Sequence, residues 1–62
     1  MENVWLEKVS TNGRVLRQAP PAIQADYNVV MAAVSNIGIA LNYASNELKN
    51  DYSIVLAAVI NL

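Results

Sequence analysis

The side chains that could move or hold a proton in this 62-residue chain are few. They are the carboxylates Glu2, Glu7, Asp26, Glu47 and Asp51, the cations Lys8, Arg14, Arg17 and Lys49, and the phenols Tyr27, Tyr43 and Tyr52. The chain has no histidine and no cysteine. A nucleophile activated by a neighbouring base usually relies on imidazole, and thiolate chemistry, disulfides and cysteine zinc sites need sulfur. A glycosidase-like carboxylate pair is the remaining route to catalysis. Asp26 and Asp51, however, each stand before an apolar run, where a helix N-cap belongs, and Glu2, Glu7 and Glu47 fall on polar faces. A loop that cradles phosphate needs clustered glycines, whereas Gly13 and Gly38 stand 25 positions apart. The expectation is a protein with no enzymatic activity, cofactor or metal.

Two binding chemistries remain. Lys8, Arg14 and Arg17 cluster in sequence with Trp5 nearby, a candidate basic patch for nucleic acid. Binding phosphates draws on a clear basic excess, and this chain carries a net charge of −1. The three cations therefore read as a solvated polar face, and nucleic-acid binding is kept only as the alternative to a protein partner. Trp5, Tyr27, Tyr43 and Tyr52 could furnish an aromatic interface. Tyr27 and Tyr52 each directly follow a capping Asp, which points instead to a repeated packing role with the hydroxyl at the rim.

The elements that hold these residues follow from an internal repeat. Shifted by 25 positions, Asp26-Tyr27-Asn28-Val29-Val30-Met31-Ala32-Ala33-Val34-Ser35-Asn36 falls on Asp51-Tyr52-Ser53-Ile54-Val55-Leu56-Ala57-Ala58-Val59-Ile60-Asn61. Shifted the other way, Val9-Ser10, Gly13, Leu16 and Ala19 fall on Val34-Ser35, Gly38, Leu41 and Ala44, and Ile23 falls on Leu48. Val29, Val30, Ala33, Val34 and Ile37 lie on one face of a helix, and Ile54, Val55, Ala58, Val59 and Leu62 repeat that stripe. Asp26 and Asp51 are the N-caps. Gly13 and Gly38 sit just past the long helices, where a residue with positive φ lets a chain turn away. Asn12-Gly13 would suit a hairpin, but Ile37-Gly38 has no hairpin chemistry and the flanks have helical period. Leu16, Ala19 and Ile23, like Leu41, Ala44 and Leu48, give a shorter apolar face. Pro20 and Pro21 suit the first turn of a new helix, and Ser45 can cap the matching turn. Each unit thus reads as a long helix, a glycine exit, a short helix and a one-turn piece ending at the next Asp.

The predicted fold is all-α, a short array of long helices alternating with short or 3₁₀ helices. It forms one domain over residues 1–62, with units 1–25, 26–50 and a half-unit 51–62. A domain this small buries only about 60% of its unfolded surface, but 55% of its residues are hydrophobic, enough for a core. The apolar runs Val29 to Val34 and Ile54 to Ile60 are far short of the roughly 20 residues that span a bilayer. The opening Met-Glu-Asn-Val-Trp-Leu-Glu lacks the basic start and apolar stretch of a signal peptide, so a cytoplasmic location is expected and no membrane.

Asp51-Tyr52-Ser53-Ile54-Val55-Leu56-Ala57-Ala58-Val59, with Gly38, Ala40, Leu41, Tyr43-Ala44-Ser45 and Glu47-Leu48-Lys49-Asn50, closely resembles the repeat of the domain of unknown function 4116 family. The resemblance is specific over residues 26–62. Over residues 1–25 it is loose, because Pro20-Pro21 replace an Ala-Ser-Glu continuation and Trp5-Leu6-Glu7-Lys8 replace a Val-Leu-Ala-Ala core. It implies repeated helices and carries no agreed activity and no catalytic or ligand residues. The alternation of long and short helices is also similar to leucine-rich variant repeats, which form a helical solenoid.

The two ends of the array differ. The first helix carries Glu2, Asn3, Glu7, Lys8, Ser10 and Thr11 and can face water as a terminal repeat should. From Ile54 to Leu62 only Asn61 is polar, and Leu56, Ala57 and Ile60 lie off the main stripe, a pattern that asks for burial on more than one side. Packing within the chain would satisfy it. The sharper expectation is an open face comprising Leu56, Ala57, Ile60 and Leu62, used for self-association or for a protein partner.

Overall fold

The computed structural model describes residues 4–62; Met1, Glu2 and Asn3 lie outside the described residues, and with them the polar faces expected of Glu2 and Asn3. Five α-helices follow one another: α1 (Val4–Thr11), α2 (Pro21–Gln24), α3 (Tyr27–Asn36), α4 (Asn46–Lys49) and α5 (Tyr52–Ile60). A 3₁₀ helix over Gly13–Gln18 joins α1 to α2, and another over Gly38–Tyr43 joins α3 to α4. No strand occurs among the described residues, so the fold is all-α. Elements of like kind begin 25 positions apart, Gly13 with Gly38, Pro21 with Asn46, and Tyr27 with Tyr52.

Local chemistry fixes where each helix starts. The Asp26 carboxylate accepts from the backbone N–H of Val29 at 3.1 Å, and Asp51 accepts likewise from Ile54 at 3.1 Å. Each satisfies one of the free donors of a first helical turn. Ser45 caps α4 by accepting from the Leu48 N–H at 3.3 Å. Pro20 takes the cap position of α2 and Pro21 its first turn, where the missing N–H would have had no partner.

The long helices stack side by side with α3 in the middle, in contact with α1, α5 and both 3₁₀ segments. Its stripe is the centre of the core: Val29, Val30, Ala33 and Val34 are fully buried, joined by Val9, Leu16, Ala40 and Ile54. Ile37 closes that stripe half-buried, and the shorter faces contribute as expected, with Leu16, Ala19 and Ala44 buried and Ile23, Leu41 and Leu48 half-buried. The short helices are tied across units where the Ser45 N–H donates to the Gln24 carbonyl at 2.9 Å, while the Gln24 side chain donates to the Leu16 carbonyl at 3.0 Å.

The glycines act differently from the expected positive-φ exit, since no described residue has positive φ. What Gly13 and Gly38 supply is the absence of a β-carbon. A β-carbon on Gly13 would collide with the Ala33 carbonyl oxygen and come within 2.9 Å of Ile37 Cγ2. On Gly38 it would collide with the Ala58 carbonyl oxygen and approach the Asn61 backbone carbon to 3.2 Å. Each glycine thus lets one unit seat its loop directly on the next unit's long helix, a close approach that only glycine permits.

Candidate protein interface on the last helix

α5 is anchored by one side only. Ile54 and Ala58 are buried, Ala57 is half-buried against the core, and the helix rests on α3 and the 3₁₀ segment Gly38–Tyr43. The opposite side carries Tyr52, Val55, Leu56, Val59 and Ile60, spaced i, i+3, i+4, i+7 and i+8, the positions of a single helix stripe. Val55 is half-buried. The other four are exposed, Tyr52 by 78%, Leu56 by 46%, Val59 by 59% and Ile60 by 72%, and Leu62 just beyond the helix is 90% exposed. Only Ser53, at the margin, is a polar neighbour within the helix. The outward side of α5 is therefore an uncharged apolar seam.

This arrangement alters several sequence expectations. Leu56, Ile60 and Leu62 lie in the open, but Ala57 belongs to the packed side. Val59, expected to point inward, is exposed, and Tyr52 projects into solvent rather than packing with only its hydroxyl at the rim. Packing within the chain does not bury α5 all round. The reason lies in the stack. Val9, Val34 and Val59 occupy one repeat position, and the first two are fully buried while the third is not. α3 packs beside α1 and α5 beside α3, whereas among the described residues no long helix packs on the far side of α5.

The polar end of the stack offers a shallower feature, an open groove of about 430 Å³ lined by Glu7, Lys8, Thr11, Asn12 and Val15. The Lys8 ammonium lies 4.7 Å from the centroid of the Trp5 ring, a cation–π contact that occupies it within α1. Arg14 and Arg17 are exposed on the first 3₁₀ helix and do not line the groove. Lys8, Arg14 and Arg17 thus do not converge on a single cleft. Of the carboxylates, Asp26 and Asp51 are engaged as caps, and Glu7 and Glu47 are exposed. Among the described residues no group of three or more acidic side chains could hold a metal ion. Tyr43 and Trp5 are half-buried against the core.

The fold and this face define a small all-α protein of alternating long and short helices with one apolar side uncovered. The family model described as Domain of unknown function (DUF4116) matches residues 2–47 and again residues 26–61, and the chain belongs to that family. Residues 26–47 fall within both matches, and residues 2–25, which depart from the repeat pattern, are included in one of them. No curated protein and no solved structure matches the chain. No helix of the described residues is long and apolar enough to cross a membrane.

Proposed function

We propose that this chain is a non-catalytic protein-binding module of the cytoplasm, and that its partner, another protein or a second copy, docks on the outward seam of α5. One observation carries the reading: the repeat position filled by Val9 and Val34 is sealed, whereas Val59 at the same position is open. Exposed apolar side chains contiguous along two turns of helix are characteristic of association surfaces. The shortage of groups able to do acid–base or nucleophilic chemistry supports the same reading.

The test is capture on the immobilised chain from nuclease-treated native extract, with untagged copies of the chain itself added. Wild type and an Arg14→Glu/Arg17→Glu variant should retain the same protein, and Val59→Glu should lose it. Retention that ignores Val59→Glu would refute the assignment of the face. Retained nucleic acid that is released steeply by salt and lost in the arginine variant would favour the alternative through Lys8, Arg14 and Arg17.

A further inference from the structure

We infer that Asn12 is a site of spontaneous covalent modification, deamidation through a succinimide, and that the junction between the first two units holds this reaction in check. The sequence supplies the reactants. Of the eight asparagines only Asn12 is followed by glycine, the neighbour whose backbone nitrogen is least hindered and whose dihedral angles are freest. In the reaction the deprotonated Gly13 nitrogen attacks Cγ of Asn12, closing a five-membered imide and expelling the side-chain nitrogen as ammonia. Water then opens the ring, with no change of oxidation state. Breaking the new N–Cγ bond gives aspartate. Breaking the original peptide bond gives isoaspartate, in which the main chain runs through the side chain and gains a methylene.

The folded chain opposes ring closure at both reacting groups. Gly13 is buried, and its N–H, which must lose its proton, is donated to Oδ1 of Asn36 at 2.8 Å. Oδ1 of the exposed Asn12 accepts from the Arg14 N–H at 3.1 Å, which holds the amide towards the following 3₁₀ turn. The Asn12 backbone is extended, with ψ at 98°, and this turns the Gly13 nitrogen away from Cγ. Closing the ring needs that torsion rotated. Rotation carries Gly13 off its seat on the Ala33 carbonyl, where there is no room even for a β-carbon. The reaction therefore waits until the loop after α1 parts from α3. The corresponding step in the next unit, Ile37-Gly38, has no side-chain amide, so the device belongs to the first junction alone. Its two products differ in consequence. Aspartate keeps an acceptor for the Arg14 N–H. Isoaspartate shifts Gly13 by a methylene, which its close seat on α3 does not accommodate, so a junction opened and modified in this way stays open.

The test follows the full chain in mildly alkaline buffer by intact mass and by peptide mapping that separates aspartate from isoaspartate. Asn12 should be the asparagine converted fastest, and more slowly in the native chain than in concentrated urea. Asn36→Ala, with helicity by circular dichroism retained, should convert about 5- to 30-fold faster than wild type, the factor that loss of its hydrogen bonds implies. Asp26→Ala removes a cap at the other end of α3 and leaves Asn36 in place, so it should convert at the wild-type rate. In wild type, low urea should leave the rate unchanged, because parting one junction exposes little surface. Faster conversion at another asparagine, equal rates in native and unfolded chain, or an Asn36→Ala rate equal to wild type would overturn the inference. A rate that rises with low urea or with Asp26→Ala, in step with lost global stability, would overturn it too. Should Asn36→Ala fail to fold, the urea series on wild type decides.

Discussion

Gly38 donates its backbone N–H to the carbonyl oxygen of Asn61 at 2.9 Å, joining the loop after α3 to the end of α5. The same junction one unit earlier is made with a side chain, the Gly13 N–H donating to Oδ1 of Asn36 at 2.8 Å. In both places the glycine lies where a β-carbon would strike the carbonyl oxygen of an alanine in the next long helix, Ala58 or Ala33. The junction between units is thus a backbone contact, with the apolar stripes meeting beside it.

Gly38→Ala should therefore be among the most damaging single-methyl changes in the chain. Its new atom meets backbone, which cannot rotate aside, and overpacking of this kind typically costs about 1–3 kcal/mol. Folded proteins are stable by only about 0.05–0.15 kcal/mol per residue, about 3–9 kcal/mol for 62 residues, so chemical denaturation should show roughly a third of that stability gone. A midpoint equal to wild type would show that the two helices can part without cost.

Asn36 closes the first junction by three contacts. Besides accepting from Gly13, its amide nitrogen donates to the Ser10 carbonyl at 3.2 Å and reaches the Thr11 carbonyl at 3.5 Å. Asn36→Ala removes them together and should cost about 1–2 kcal/mol. It should also speed hydrogen exchange at the Gly13 amide more than at the Val9 amide, a contrast that amide exchange monitored by NMR would reveal.

The caps should be worth less each, and alike. Asp26→Ala and Asp51→Ala each remove a side-chain acceptor for a first-turn N–H, and such losses average about 1 kcal/mol. Asn in place of either Asp keeps the acceptor and should recover most of the difference. Paired denaturation curves would measure both.

A pair of identical substitutions isolates the effect of the stack. Val34→Ala empties a fully buried site and should cost about 1–3 kcal/mol, whereas Val59→Ala at the same repeat position is 59% exposed and should cost under about 0.5 kcal/mol. Thermal melts at low protein concentration would keep self-association out of the comparison. Equal losses would mean that Val59 is covered within the chain.

Much of this was legible in the order of residues. Asp26, Asp51, Ser45 and Pro21 mark helix starts because capping is a contact over two or three positions, local enough to be written in neighbouring side chains. The stripe Val29, Val30, Ala33, Val34 fixed the buried face of α3, and the lack of histidine and cysteine limited the chemistry open to the chain. Gly13 and Gly38 stand where the repeat puts a helix exit, but what requires them there is close approach and not a positive φ, and a turn is a local requirement while close approach is not. The carbonyls of Ala33 and Ala58 lie 20 positions along the chain from the glycines they exclude a side chain from. Ala57 packs on the core side of α5 as Ala32 does on α3, whereas Val59 is open where Val34 is sealed, because the two repeats look alike while their neighbours differ. Periodicity determines which residues share a face; only the packed molecule decides whether another helix lies over that face, because burial depends on what arrives from elsewhere in the chain.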